Sequence, residues 1–294
     1  MSVIDVKDLR KSYNGLAAVD GIDLTISQGE IFALLGPNGA GKTTTVEILE
    51  GFRSRDSGNV TVLGFDPQAT GIDARRFRDR IGIVLQSTSD AGDLTVAETV
   101  HHFQSYYSNP RMAEEVIAAV GLTEKSNSLI RVLSGGQRRR LDVALGIVGN
   151  PELLFLDEPT TGFDPEARRA FWELVKDLRN TGTTILLTTH YLDEAEALAD
   201  RVGVINRGKI VEIAAPSELG GRDTSMAYVR WVVDGVSYEE RTNSPTAVIR
   251  RISADIKGEI PQLIVSRPSL EEIYLEMIGH AESTEILTKE VSGA

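Results

Sequence analysis

Gly36-Pro37-Asn38-Gly39-Ala40-Gly41-Lys42-Thr43 is a complete G-x-x-x-x-G-K-S/T loop. The apolar strand-like run Ile31–Leu35 precedes it and a helical run over residues 44–49 follows, the context this motif requires. Glycines let backbone N–H groups wrap a phosphate closely, where a Cβ would clash. The N-terminus of the following helix adds partial positive charge. In such a loop Lys42 neutralises β- and γ-phosphate oxygens and the Thr43 hydroxyl ligates magnesium. A glycine-rich turn with no ligand needs neither the lysine nor the hydroxyl at these places.

A second stretch, Leu153-Leu154-Phe155-Leu156-Asp157-Glu158, is an apolar strand ending in two carboxylates. Ligands of parallel α/β sheets sit at the carboxyl ends of strands. Asp157 suits the outer coordination sphere of magnesium, and Glu158 suits a general base for an attacking water. Further β-rich runs at 184–189 and 202–205 alternate with helical patterns, which predicts a largely parallel α/β sheet. Residues 94–149 are mostly helical and read as an insertion into that core. Thr95 and Glu98 form a capping box for a helix through about Tyr107, and residues 112–120 form another, stopped by Gly121.

Composition bounds the reading. The 294 residues are 41% hydrophobic and 25% charged, which excludes a mainly disordered chain. Without cysteine there are no disulfides or thiolate metal sites. The net charge of −12 argues against nucleic acid as a partner, so a bound anion must be held by local geometry. No window approaches the ~18–20 apolar residues of a membrane helix, and Met1–Arg10 has no signal-peptide run. The expected location is cytoplasmic.

Leu133-Ser134-Gly135-Gly136-Gln137 resembles, without departure, the signature sequence of ATP-binding-cassette (ABC) transporter ATPases. Ser134 and Gln137 can form a capping box opening a helix over 137–148, with the two glycines leaving amides open to an anion. Other elements stand in the family's order. Tyr13 matches the aromatic residue that stacks on adenine, and Gln86, after a strand over 81–85, matches the Q-loop glutamine. Gly162-Phe163-Asp164-Pro165 matches the D-loop, with Phe163 where the family usually has Leu. His190, closing the 184–189 strand, matches the switch histidine. The resemblance covers residues 1–215. It implies a P-loop cassette with a mostly parallel sheet core, an N-terminal antiparallel β part and a helical subdomain at about 87–150.

The resemblance further implies two cassettes arranged head to tail around two ATP molecules. Tyr13, the loop residues Gly36 to Thr43, Thr44 and Gln86 would bind nucleotide in cis. Ser134, Gly135, Gly136, Gln137 and Asp164 would bind it in trans. Thr43, Gln86 and Asp157 would hold magnesium, and Glu158, His190 and Lys42 would carry catalysis. Because the chain lacks a spanning segment, transport implies a separate membrane permease and a peripheral place on the cytoplasmic face of the membrane. The insertion and the Gln86 loop, with residues 90–93 beside it, resemble the surface that receives such a partner. Arg138-Arg139-Arg140 reads as a solvated basic face, with phospholipid contact the alternative.

A small α+β accessory domain is expected over 216–294, after the cluster Pro216, Gly220 and Gly221. Runs at 228–233 and 236–242 flank Asp234-Gly235, a hairpin signal. A helix over 246–256 and a strand over 262–266 follow. Ser269 and Glu272 then cap a final helix with Leu270, Ile273, Tyr274, Met277 and Ile278 on one face, before a polar tail after His280. The run from Pro268 to Met277 resembles the C-terminal motif of daunorubicin-resistance-type exporter ATPases. That subgroup implies export of a hydrophobic drug, antibiotic or lipid. The alternative, a soluble ABC ATPase acting on ribosomes or nucleic acid, is disfavoured by the acidic charge and by the single cassette.

Overall fold

The computed structural model describes residues 1–84, 92–256 and 258–279. The chain divides into two compact units, Met1–Ile213 and Ala214–Ala294.

The first unit is built on a six-stranded sheet. Its strands are β3 (Ile31–Leu35), β5 (Ile81–Val84), β6 (Leu153–Asp157), β7 (Thr184–Thr189), β8 (Arg201–Asn206) and β9 (Lys209–Ala214), in the order β5-β6-β7-β3-β8-β9. β3, all of it buried, lies centrally and pairs in parallel with β7 and β8. Near-continuous apolar strands are what a sheet covered on both faces demands. β6 pairs in parallel with β5 and β7. A second, antiparallel sheet of β1 (Ser2–Tyr13), β2 (Leu16–Ser27) and β4 (Ser57–Val62) runs in the order β2-β1-β4. Its inward residues Ile4, Val6, Ile22, Leu24, Val60 and Val62 share one core with Phe32, Leu34 and Phe155 of the parallel sheet. Alternation along these strands gives each one apolar and one wet face.

Helices α1 (Lys42–Leu49) and α2 (Gly71–Arg78) come before β5. Between β5 and β6 stand α3 (Val96–Gln104), α4 (Ala113–Ala119) and α5 (Gly135–Ile147), which pack on one another. α3 opens with the expected capping box. The Thr95 hydroxyl accepts from the Glu98 N–H, and the Glu98 carboxylate accepts from the Thr95 N–H. It closes at Ser105, short of the expected Tyr107. α6 (Pro165–Asn180) and α7 (Leu192–Leu198) complete the unit.

In the second unit, β10 (Ala227–Val233), β11 (Val236–Thr242) and β12 (Ile264–Ser266) form an antiparallel sheet ordered β11-β10-β12. Asp234 and Gly235, at φ 50° and 78°, make the two-residue turn between β10 and β11. α8 (Pro245–Asp255) packs Val248 and Ile252 on Val229. A helix α9 spans residues 270–279. The Ser269 hydroxyl accepts from the Glu272 N–H and the Glu272 carboxylate from the Ser269 N–H. Leu270 and Ile273 are its buried positions, and Tyr274, Met277 and Ile278 are half-buried. The expected tail after His280 lies outside the described residues.

Candidate active site

The loop between β3 and α1 is shaped by the chain's own packing as well as by any ligand. A Cβ on Gly36 would lie 2.3 Å from the Ile205 carbonyl oxygen, and one on Gly41 2.3 Å from that of Ala18. Gly41 also sits at φ 107° as the N-cap of α1 and supplies no side-chain acceptor. The first amides of α1 therefore have no side-chain cap and are available to an anion. Asn38 and Gly39 are exposed at the loop tip; Pro37 is half-buried and Ala40 buried. Lys42 is buried, with its Nζ donating to the carbonyls of Gly36 (2.7 Å) and Pro37 (3.2 Å). Burial holds its ammonium below the ordinary lysine range, while the charges of Glu158 and Asp157 oppose that shift. Thr43 is exposed and Thr44 half-buried at the start of α1.

β6 and β7 bring the acidic and histidine positions beside this loop. Thr188 is the hinge of the arrangement. Its hydroxyl donates to the Asp157 carboxylate and accepts from the Glu158 N–H at 3.2 Å, and its carbonyl accepts from the same N–H at 3.1 Å. Glu158 follows the strand with φ 45°, in the left-handed region. His190 Nδ1 lies 3.3 Å from Glu158 Oε1, with the glutamate mostly buried and the imidazole half-exposed. Lys42, Asp157, Glu158 and His190 thus share one end of the sheet. Tyr13 is exposed, with the Lys11 ammonium and the Arg53 guanidinium each 5.5 Å from its ring centre. Gln86 lies outside the described residues.

The second phosphate-ready helix start is that of α5. The Ser134 hydroxyl accepts from the Gln137 N–H at 3.3 Å, and Gln137 Oε1 accepts from the Ser134 N–H at 3.0 Å. A Cβ built on Gly135 or Gly136 would meet nothing within 4 Å. Among the described residues these glycines answer no packing need; Gly135 is exposed and Gly136 half-buried. At α6, the Asp164 carboxylate accepts from the Ala167 N–H at 2.8 Å, capping its own helix. Phe163, the departure from the family pattern, is buried and packs edge-on against Phe171 with ring centres 6.0 Å apart.

The expected solvated face at Arg138-Arg139-Arg140 is corrected. Arg139 is buried and turned inward, its guanidinium bonding to backbone carbonyls at the end of β6. A run of basic residues carries no mark of which member faces inward. Two acids also escaped the sequence reading. Glu194 on α7 is fully buried, and that burial raises its carboxyl pKa against the opposing effects of Thr189, Thr160 and Trp172. Glu50, at the end of α1, is buried too, and its pKa is pushed up to about 8 by burial, then by Asp157 and Glu47. The folded state therefore keeps a proton that the unfolded chain releases near 4.5. Stability from this group is present at low pH and is lost as pH rises from 4.5 to about 8. In nucleotide-free protein, the urea midpoint should fall across that window more steeply than in Glu50→Gln. Parallel profiles for the two proteins would contradict the assignment.

Comparison with known proteins shows the family. The ABC transporter family profile matches residues 19–161. The daunorubicin/doxorubicin resistance ATP-binding protein of Streptomyces peucetius is 37% identical over 308 residues, covering 94% of this chain and 92% of that protein. Nod factor export ATP-binding protein I of Burkholderia orbicola is 39% identical, covering 94% and 97%. Among solved structures, an ATP-binding subunit of an ABC transporter superposes with a TM-score of 0.67 at 23% identity, covering 74% of this chain and 91% of that one. A dimeric bacterial ABC transporter cassette gives 0.66 at 25%, covering 72% and 98%. The same cassette in a post-hydrolysis state, bound to ADP and Pi, gives 0.65 at 24%, covering 72% and 98%. A loop and helix start fit for phosphate, adjoining carboxylates and likeness to ABC relatives over 94% of the chain lead to one conclusion: this chain belongs to the ATP-binding subunits of ABC transporters and is an ATPase.

Proposed function

We propose that this ATPase works as a head-to-tail pair of copies that drives export of a hydrophobic drug, antibiotic or lipid through a separate membrane permease. The observation that carries the paired reading is the exposed α5 start. Two helix starts among the described residues suit phosphate, and the Gly135–Gly136 clearing meets nothing within 4 Å among them. A second copy supplies the missing occupant by placing its own loop-bound nucleotide there. The assignment to export rests on relatives named for drug resistance and Nod factor export, aligned over 94% of the chain.

Within one site the roles follow from position. Lys42, now bonded to two carbonyls, turns its ammonium to the β- and γ-phosphates of ATP. Tyr13, flanked by two cations, takes the adenine face. The Thr43 hydroxyl and Asp157 carboxylate are hard oxygen donors suited to magnesium, which neutralises charge on the transferring phosphoryl group. Glu158 accepts a proton from the attacking water, and His190, 3.3 Å from it, orients that exchange. Ser134 and the adjacent amides of the second copy meet the γ-phosphate from the opposite side, and closure removes water from around it.

The permease contact is supported by a cavity of about 730 Å³ between the sheet edge and the helical insertion, lined by Phe52, Phe77, Ile81, Ile83, Phe103 and Leu145. Its walls are mainly apolar, with Glu47, Glu50, Arg78 and Asp142 among them, a mixture that suits a short amphipathic segment. Among the described residues no helix is long and apolar enough to cross a membrane, so a spanning partner supplies the path. Affinity capture of the full chain from gently solubilised membranes is expected to bring down a stoichiometric protein rich in apolar spans. Recovery with ribosomes or nucleic acid alone would overturn the transport reading. Glu158→Gln is expected to slow hydrolysis about 100-fold or more and to accumulate as an ATP-bound dimer in light scattering. A wild-type rate would remove Glu158 as the base, and a monomer at saturating ATP and magnesium would remove the pair.

A further inference from the structure

Arg139 lies in the second turn of α5, two residues beyond the Ser134–Gln137 capping box, and only 9% of its side chain is exposed. Its Nε donates to the Pro159 carbonyl at 3.0 Å. Its Nη2 donates to the carbonyls of Asp157 at 2.9 Å and Glu158 at 3.4 Å. Three consecutive carbonyls of the segment carrying the general base are therefore held by one rigid, planar fork. On the other side of that segment, the Glu158 N–H is held by Thr188. Such holding is needed, because a glutamate at φ 45° is in a conformation that residues with a Cβ disfavour and that persists only where its surroundings impose it. Asp142, one turn along α5, faces the same guanidinium at 4.0 Å. Burial lowers the arginine's pKa while the charges of Asp142, Asp157 and Glu194 favour its cation.

We propose that Arg139 is a positioning residue that couples the signature helix to the general base: a shift of α5 is passed through its guanidinium to the backbone of Glu158. Where α5 is drawn by a nucleotide on the partner copy, the proposal rests on the paired reading above. The hold on Glu158 does not. Ser134 serves the nucleotide bound to the partner's loop, whereas Arg139 sets the base for the nucleotide bound to its own. Occupancy of one site thereby tunes the chemistry of the other. Lysine keeps the cation but not the fork, so Arg139→Lys preserves the buried charge and loosens the loop. Arg139→Gln keeps two donors without the charge.

The test is a double-variant cycle on full-length protein, with rates expressed per ATP-binding site titrated at equilibrium, so that a loss of folded protein does not imitate a loss of rate. Arg139→Lys and Arg139→Gln are each expected to lower kcat by about tenfold to 100-fold, with KM for ATP held within about threefold. In a Glu158→Gln background the same changes should alter the residual rate by less than about twofold, because the group they position is gone. An unchanged kcat for both variants would overturn the proposal. So would a rise in KM at constant kcat, or an equal fold-loss with and without Glu158, which marks a merely structural residue. If Glu158→Gln fails to pair on ATP, the paired reading falls while the hold of Arg139 on Glu158 is still decided by kcat.

Discussion

The register of four parallel strands is the constraint on which the site depends. Leu35, the last residue of β3, pairs with Thr189 on one side and Val204 on the other, and Asp157 pairs with Thr188. These pairings bring the phosphate loop, the two carboxylates and His190 to the same edge. A slip of one residue would displace a strand end by about 3.3 Å and reverse which side chains face each covering layer. The strands resist slipping because their side chains are buried on both faces, and because polar anchors hold their entry ends. The Asp200 carboxylate accepts from the Ile31 N–H at 2.9 Å and from Arg179 at 2.8 Å. Glu30, buried, pairs with Arg201 at 2.7 Å. Parallel strands lying side by side thus start from common anchors and deliver their ends together.

With register set, the chemistry is a matter of local electrostatics. A buried lysine and neighbouring carboxylates occupy one cleft, and two helix starts present amides without anionic side chains of their own. The net charge of −12 makes this placement informative. A surface of that charge does not draw phosphate as a whole; in the proposed function the attraction comes from oriented amides, one ammonium and glycines that clear the approach.

Much of this was legible in the sequence, for identifiable reasons. The strand–loop–helix run around Lys42 and the apolar run into Asp157 carry their position with them, since a parallel strand's exit end is where a ligand sits. The capping boxes at Thr95, Ser134 and Ser269 were legible because each needs only two residues at a fixed spacing. What escaped depends on contacts far apart in the chain. The inward turn of Arg139 is decided by carbonyls 18 to 20 residues away, and the sequence marks none of its neighbours as different. The need for glycine at 36 and 41 is set by Ile205 and Ala18 as much as by phosphate. Glu50 reads as an ordinary helix-end acid until the packing around it is known.

The most direct measurement mixes two inactive proteins. Lys42→Ala removes the phosphate lysine and Ser134→Arg blocks the signature, so neither can assemble a complete site with its own kind. In a mixed pair, the intact Lys42 of one chain meets the intact Ser134 of the other. A site shared between copies predicts that the mixture regains ATPase activity, up to about a quarter of wild type for random pairing with independent sites. A mixture as inactive as its components would contradict a shared site and would place the whole of catalysis within one chain.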